Sequence, residues 1–294
     1  MPIEALQRKI KTTKDLREIV SNMKTLSSVS ILQYEQANTV LEEYRRNLRD
    51  AFHALAIHNG IPNLSTQTAI HPRYLFILIG SDNGMVGRFN RELTENITDF
   101  IKNNHINPSD THFIVIGKRL SALAEQANFN ILSGFATSNS VKSIISLAEQ
   151  VIIRIDKAIR QNRISDVYIC YHQRRKSTSV ETKIQKVLPA EVKRLQQLKS
   201  KKWETNNIPM VPSAPQKMFA ALLNETMMIA LAQCINASLA AEHFTRMTNM
   251  QNAEKNIDEN LEEMNLEYQQ QRQEEITGEL IDVISGANAM KDES

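Results

Sequence analysis

The stretch IEALQRKIKTTKDLREIVSNMKTLSSVSILQYEQANTVLEEYRRNLRDAFHALAIHN, residues 3–59, holds neither glycine nor proline. Its apolar and small residues recur every seven positions. Leu6, Thr13, Val20, Ser27, Tyr34, Leu41, Leu48 and Leu55 make one row, and Leu16, Met23, Ser30, Ala37, Tyr44 and Ala51 make a second row three residues on. That spacing is a coiled-coil seam, and a helix carrying one needs a partner to cover it. The other end of the chain supplies a candidate. From Gln216 to Thr277 glycine and proline are again missing, and Leu223, Thr226, Ala230, Gln233, Ala237, Ala240, Phe244 and Met247 continue the pattern. Gln233 is the one strongly polar member, at the kind of position where a lone polar residue fixes register. After a phase slip near Met250, Ile257, Leu261, Met264 and Tyr268 resume the seam. Paired with each other, the two helices would form a rod roughly 85 to 100 Å long at about 1.5 Å per residue.

Charge gives the pairing a direction. Residues 1–24 carry six Lys or Arg against three acids, whereas residues 254–294 carry twelve acids against three bases. An antiparallel arrangement lays the basic start beside the acidic end, so attraction adds to apolar burial. Over the whole chain the charge is only +2, which gives no global electrostatic case for nucleic acid. Cys170 and Cys234 have no His or Cys at ligand spacing and read as buried thiols of a reducing compartment, not as a disulfide or zinc site. The start, MPIEALQRKI, lacks the apolar core of a signal peptide, and no stretch approaches the roughly 20 apolar residues of a membrane span. Membrane association is therefore expected only through partners.

The middle of the chain has another texture. After Gly60, Pro62 and Pro72, the run Tyr74–Ile79 is short and apolar throughout, as in a strand covered on both faces. Helical periodicity follows at 88–103, then an apolar run at 113–116, a short helix at 119–127 and a long one at 141–160. Residues 167–171 and 182–187 read as further strands. This alternation predicts an α/β fold, a Rossmann-like and mostly parallel sheet domain inserted between the N- and C-terminal helices of a long antiparallel coiled coil. The expected division is 1–59 for the N-terminal helix, 70–190 for the α/β domain, 191–215 for a connection and 216–290 for the C-terminal helix.

Few residues suggest chemistry. Gly80-Ser81-Asp82-Asn83-Gly84-Met85-Val86-Gly87 follows the first strand, where glycine-rich turns cradle phosphate, but Arg88-Phe89 stands where a P-loop needs Lys-Ser or Lys-Thr. The turn reads as a tight βα connection with Ser81 or Asp82 capping backbone donors and with Gly84 at a backbone angle that β-branched residues resist. His105, His112 and His172 are scattered, and no Ser, His and acid grouping is recognisable. Arg174, Arg175, Lys176, Lys183 and Lys186 form a basic cluster without interleaved aromatics, the mark of a charged edge strand more than of a nucleic-acid patch. Met227, Met228, Met247, Met250 and Met264 form a soft stripe, suited to packing and to contacts that re-form.

A family resemblance ties these features together. Glu242-His243, Arg246-Met247, Met250, Ala253, Asn256, Tyr268, Arg272-Gln273, Ile276-Thr277, Glu279-Leu280 and Ser285-Gly286-Ala287 closely resemble the signature of the gamma subunit of rotary F-type ATP synthases. The turn Ser81-Asp82-x-Gly84-x-x-Gly87-x-x-Asn90 is similar to that family's segment after the first strand, and Ile10, Ile19, Met23 and Lys24 fall on its N-terminal helix pattern. Thr25 to Ser30 replace the usual run after Met-Lys, and Asn83 and Met85-Val86 replace Arg and Leu-Cys. The MKTL and QYEQA segments resemble the alternate bacterial and archaeal branch, often regarded as sodium-coupled.

The resemblance implies a central stalk, the rotor shaft that couples transmembrane ion flow to conformational change in the catalytic beta subunits. Implied partners are the alpha and beta subunits, the epsilon subunit and the membrane c-ring. The implied place is the cytoplasmic face of the cell membrane, held peripherally. Catalytic, cofactor and metal residues are not expected. Matching positions imply beta-subunit contacts at Met23, Lys24, Arg272, Gln273, Thr277 and Glu279, and an apolar bearing tip at Ile281, Ile284 and Ala287. Two other classes stand beside this reading: a nucleotide- or phosphate-using α/β enzyme with a coiled-coil arm, and a coiled-coil scaffold or RNA-binding arm.

Overall fold

The computed structural model describes residues 2–58, 61, 72–138, 140–175, 179–189, 198, 203, 207, 209–211 and 214–292, with side chains up to Ile284. Its elements run α1 (Ile3–Ile57), β1 (Tyr74–Ile79), α2 (Phe89–Asn103), β2 (Thr111–Ile116), α3 (Lys118–Gln126), β3 (Ile131–Phe135), α4 (Val141–Asn162), β4 (Asp166–Arg175), β5 (Ser179–Leu188) and α5 (Pro215–Asp292). The chain forms two compact units, Met1–Ser27 with Arg246–Ser294, and Ser28–Thr245. Most of the 191–215 connection, including Lys199, Lys201 and Lys202, lies outside the described residues.

In the larger unit the sheet order is β3-β2-β1-β4-β5. β1 pairs in parallel with β2 and β4, β2 with β3, and only β4 and β5 are antiparallel. Both faces are covered, which is why Tyr74–Ile79 is apolar without alternation. One face carries Phe76, Leu78, Phe113, Val115 and Cys170 under Leu93, Ile97 and Ile101 of α2 and Leu120 of α3. The other carries Leu75, Ile77, Ile79, Ile114, Ile116 and Ile169 under Ile144, Val151 and Ile155 of α4 and Leu231, Ile235 and Leu239 of α5. Residues 131–135 form a strand the periodicity did not single out. Its side chains are half-buried or exposed and it holds the sheet edge, so it lacks both the apolar run and the alternation that mark a strand.

The long helices run antiparallel within each unit. In the smaller one Leu6 and Ile10 pack on Ile257, Leu261, Met264 and Tyr268. Arg17 Nε donates to Asp258 Oδ1 at 2.5 Å, and Lys24 pairs with Glu254, each base holding its carboxyl below the usual range. In the larger unit the Tyr34 ring stacks on His243 with centroids 5.6 Å apart, Tyr44 Oη donates to Glu225 at 2.7 Å, and Phe52 meets Phe219 edge-on.

Every member of the first α1 row is buried or half-buried, but the second row breaks at Leu16 (50% exposed) and Tyr44 (43%). On α5 the expected seam is also too narrow. Ala240 alone of its eight members is fully buried, while Ile229, Leu231, Ala232, Cys234, Ile235, Asn236, Ser238, Leu239, Ala241 and Glu242 are buried around it. The cause is tertiary: here α5 lies between α1 and the sheet, so it is covered nearly all round. The reading that no stretch of the sequence approaches a membrane span is also corrected, while the expectation of membrane association through partners is untouched. By length and composition α5 does contain an apolar window long enough for a span, with mean hydropathy 1.5. Gln233 is only half-buried, and the buried polar role passes to Asn236.

Candidate functional site

In an open α/β sheet the default ligand site is the crevice at the carboxyl ends of the strands where their order reverses, here between β1 and β4. The turn after β1 has spent its donors and acceptors internally. Ser81 N donates to Asn90 Oδ1 at 2.9 Å, Asn90 Nδ2 to Ser81 Oγ at 2.8 Å, and Arg119 N to Ser81 O at 3.1 Å. The Asp82 carboxylate accepts from Lys118 N at 2.8 Å and from Thr137 N at 3.1 Å. It thereby occupies the first amide of α3, where a phosphate would otherwise bind. The capping expected of Ser81 or Asp82 is met by Asp82, reaching to another turn.

The glycines serve close approach. A Cβ on Gly80 would lie 2.5 Å from Asn90 Oδ1 and 2.7 Å from Leu120 Cβ. Gly84 does not take the special backbone angle expected of it, since the left-handed conformations of the turn fall at Met85 (φ 62) and Gly87 (φ 57). Side chains of α5 then fill the crevice. Val86 and Phe89 pack on the buried Ala241, and Ser238 Oγ donates to Ile79 O at 3.1 Å. His172, within β4, donates from Nε2 to Phe89 O at 2.8 Å, and burial lowers its pKa so that the imidazole stays neutral. Both cysteines are free and buried; burial pushes the Cys170 thiol up strongly and Cys234 up to about 12, so neither is a ready nucleophile.

Two other features have weak claims to chemistry. The basic cluster lies on the β4–β5 hairpin and is neutralised locally: Arg174 by Glu35, Lys183 by Glu181 at 2.8 Å, and Lys186 by Asp166 at 2.5 Å. Lys176 lies outside the described residues. A groove of about 530 Å³ opens between α4, the end of β5 and α5, lined by Ile152, Ile159, Leu188, Leu223 and Met227. Its charged members Asp156 and Arg160 pair with each other at 3.0 Å, so it offers no convergent polar set for a substrate.

The remaining open surface is helical. From Arg272 to Ile284 every described side chain of α5 is exposed, including Ile276, Leu280, Ile281, Val283 and Ile284 at 48–69%. Comparison with known proteins gives this surface a context. A family described as ATP synthase matches residues 2–290. The chain belongs to that ATP synthase family. Among its relatives are the ATP synthase gamma chains of Mycoplasmopsis agalactiae, 25% identical over 98% of this chain and 99% of that one, and of Bdellovibrio bacteriovorus, 24% identical over 98% and 99%. The fold is that of a chain in the Euglena gracilis mitochondrial ATP synthase rotor, with TM-score 0.63 at 17% identity, covering 93% of this chain and 98% of that one.

The gamma-chain positions singled out in the sequence fall in two patches. Arg272, Gln273, Thr277 and Glu279 share the exposed end of α5, where Thr277 Oγ1 donates to Gln273 O at 2.7 Å. Among the described residues neither Arg272 nor Glu279 has an ion-pair partner. Met23 and Lys24 are not their neighbours, because Lys24 pairs with Glu254, some five helical turns or about 27 Å along α5 from Arg272. Ile281 and Ile284 are exposed, and the side chain of Ala287 lies outside the described residues. Leu16, expected in the seam, and Ile19, matched to the family pattern, instead join Leu26, which the sequence reading passed over, in an apolar row of α1 at 50–67% exposure. Their spacing of three and then seven residues was the available signal, hidden because the rows beside it also read as seam.

Proposed function

We propose that this chain is the gamma subunit, the central rotor shaft, of an F-type ATP synthase. It couples transmembrane ion flow to conformational change in the catalytic beta subunits, and performs no bond chemistry itself. The observation that carries this reading is the exposed end of α5, whose apolar side chains from Ile276 to Ile284 stand 48–69% exposed among the described residues. A row of this kind on a single helix demands an external sleeve, and a ring of alpha and beta subunits supplies one. Ile281, Ile284 and Ala287 form the bearing tip. Arg272, Gln273, Thr277 and Glu279 form the belt of exchangeable hydrogen bonds with the beta subunits, and Met23 and Lys24 a second patch. The α/β domain meets the epsilon subunit and the c-ring, so the chain is held at the cytoplasmic face of the cell membrane through its partners alone. The filled crevice at β1 and β4 supports a non-catalytic role over the α/β-enzyme reading, and the neutralised hairpin cluster weighs against an RNA-binding arm. The MKTL and QYEQA segments favour the alternate branch.

Affinity purification of the tagged chain from native membranes tests the assignment. The expected result is a complex with alpha, beta and this chain in a ratio of about 3:3:1, the stoichiometry of a single shaft in a ring of six. Recovery of the chain free of both alpha and beta subunits would overturn it.

A further inference from the structure

Three polar side chains tie the two long helices to each other and to the α/β layer within residues 28–245. Asn236 of α5 is 1% exposed, and its Nδ2 donates to the Tyr34 carbonyl of α1 at 2.8 Å. Its Oδ1 has no partner among the described residues. Two residues on, Ser238 donates to the last carbonyl of β1, that of Ile79. From β4, the Arg174 guanidinium pairs with Glu35 of α1 and lies 4.6 Å from the centroid of the Phe244 ring of α5, while its buried Nε has no partner among the described residues. So α1, α5, β1 and β4 are joined at one place by contacts that have direction.

Stability alone does not account for this arrangement. An unpartnered buried acceptor costs at least what one hydrogen bond returns, so leucine at 236 would serve the core as well as asparagine. The surrounding apolar contacts of Ala232, Leu239 and Ala240 hold the helices together but are non-directional and tolerate sliding. A hydrogen bond to one chosen carbonyl does not. Buried polar residues of this kind are best attested as register devices.

We propose that Asn236, Ser238 and Arg174 form a register joint: Asn236 fixes α1 against α5, and Ser238 and Arg174 fix the pair, axially and rotationally, against the α/β domain. Resting on the shaft reading above, it is the place where torque passes between that domain and the helices. These are positioning residues; none needs to touch a nucleotide or an ion.

The test uses the triple variant Asn236→Leu, Ser238→Ala, Arg174→Met, in which each replacement stays apolar and near in size, and methionine packs on Phe244. Wild type and variant are reconstituted with their alpha, beta and membrane subunits, and ATP hydrolysis and ion pumping are measured on the same vesicles. The variant is expected to melt within a few degrees of wild type and to hydrolyse ATP at a similar rate. Its pumping per ATP should fall about threefold, the scale of a modest coupling free energy. An unchanged ratio, or pumping and hydrolysis that fall together with thermal stability, would overturn the joint. Failure of the wild-type chain to assemble would instead sink the shaft reading. The joint would then be decided on the full chain alone: faster hydrogen exchange at residues 29–37 in the variant supports it, and unchanged exchange refutes it.

Discussion

His172 shows how much a single buried group can bind to pH. The residue is 1% exposed, its ring is tilted against that of Phe89 with centroids 4.2 Å apart, and it donates to the Phe89 carbonyl. Burial moves its pKa below the usual 6.5, so between that folded value and 6.5 the unfolded chain binds a proton that the folded chain refuses. The sign is therefore fixed: stability is full above pH 6.5 and declines as pH falls through that window. The slope is up to about 1.4 kcal/mol per pH unit for one group. Thermal melts between pH 8 and pH 5 should show His172→Phe starting less stable than wild type, through the lost hydrogen bond, yet falling less steeply; parallel curves would exclude His172 as the cause. At this scale the sequence was only partly legible. That the glycine turn is structural could be read from Arg88-Phe89. That Asp82 is its keystone could not, because its donors Lys118 and Thr137 come from turns 36 and 55 residues away. Gly84 looked special by spacing, whereas the left-handed backbone falls at Met85 and Gly87.

Among the elements, those with a strong period were readable almost to the residue. β1 and the first α1 row stand where the pattern puts them, and charge gave the antiparallel direction later made concrete by Arg17 with Asp258 and Lys24 with Glu254. What the pattern missed depends on tertiary cover: β3 at a half-open edge, and the width of the buried face of α5, which a two-helix seam understates because the sheet covers the other side. This contrast separates two kinds of leucine on α1. Leu6 is fully buried against Leu261 and Met264, whereas Leu16 is half exposed. Leu6→Asp places an unpaired charge in that seam, at a cost of several kcal/mol. Hydrogen exchange should then rise along residues 3–13 and 257–268 while the sheet amides stay protected. Leu16→Asp should leave exchange in the isolated chain near wild type. Equal effects of the two would mean that α1 and α5 are not paired as described.

For the whole molecule, the surfaces that matter are those the fold leaves open, and a single chain shows them only as absences of cover. Family membership was legible because its residues recur at fixed places from Glu242 to Ala287 and in the Ser81–Asn90 turn; the grouping of the contact residues was not, since Lys24 turns to Glu254 instead of joining Arg272. The two patches therefore predict opposite behaviour. Lys24→Ala removes a cross-helix pair and should loosen residues 3–27, seen as faster hydrogen exchange there. Gln273 is exposed, and its backbone carbonyl accepts from Thr277 Oγ1. Gln273→Leu keeps the size of the side chain but cannot exchange hydrogen bonds with a moving partner. It should leave melting unchanged and assemble normally, yet slow steady-state ATP hydrolysis by the complex about fivefold, as expected when an interaction made chiefly between resting states is lost. Hydrolysis rates and melting curves on the same preparations decide the matter. A wild-type rate would move the belt off Gln273, and a lowered melting temperature would make the residue structural, leaving the exposed apolar row of Ile276 to Ile284 as the part of α5 that its partners grip.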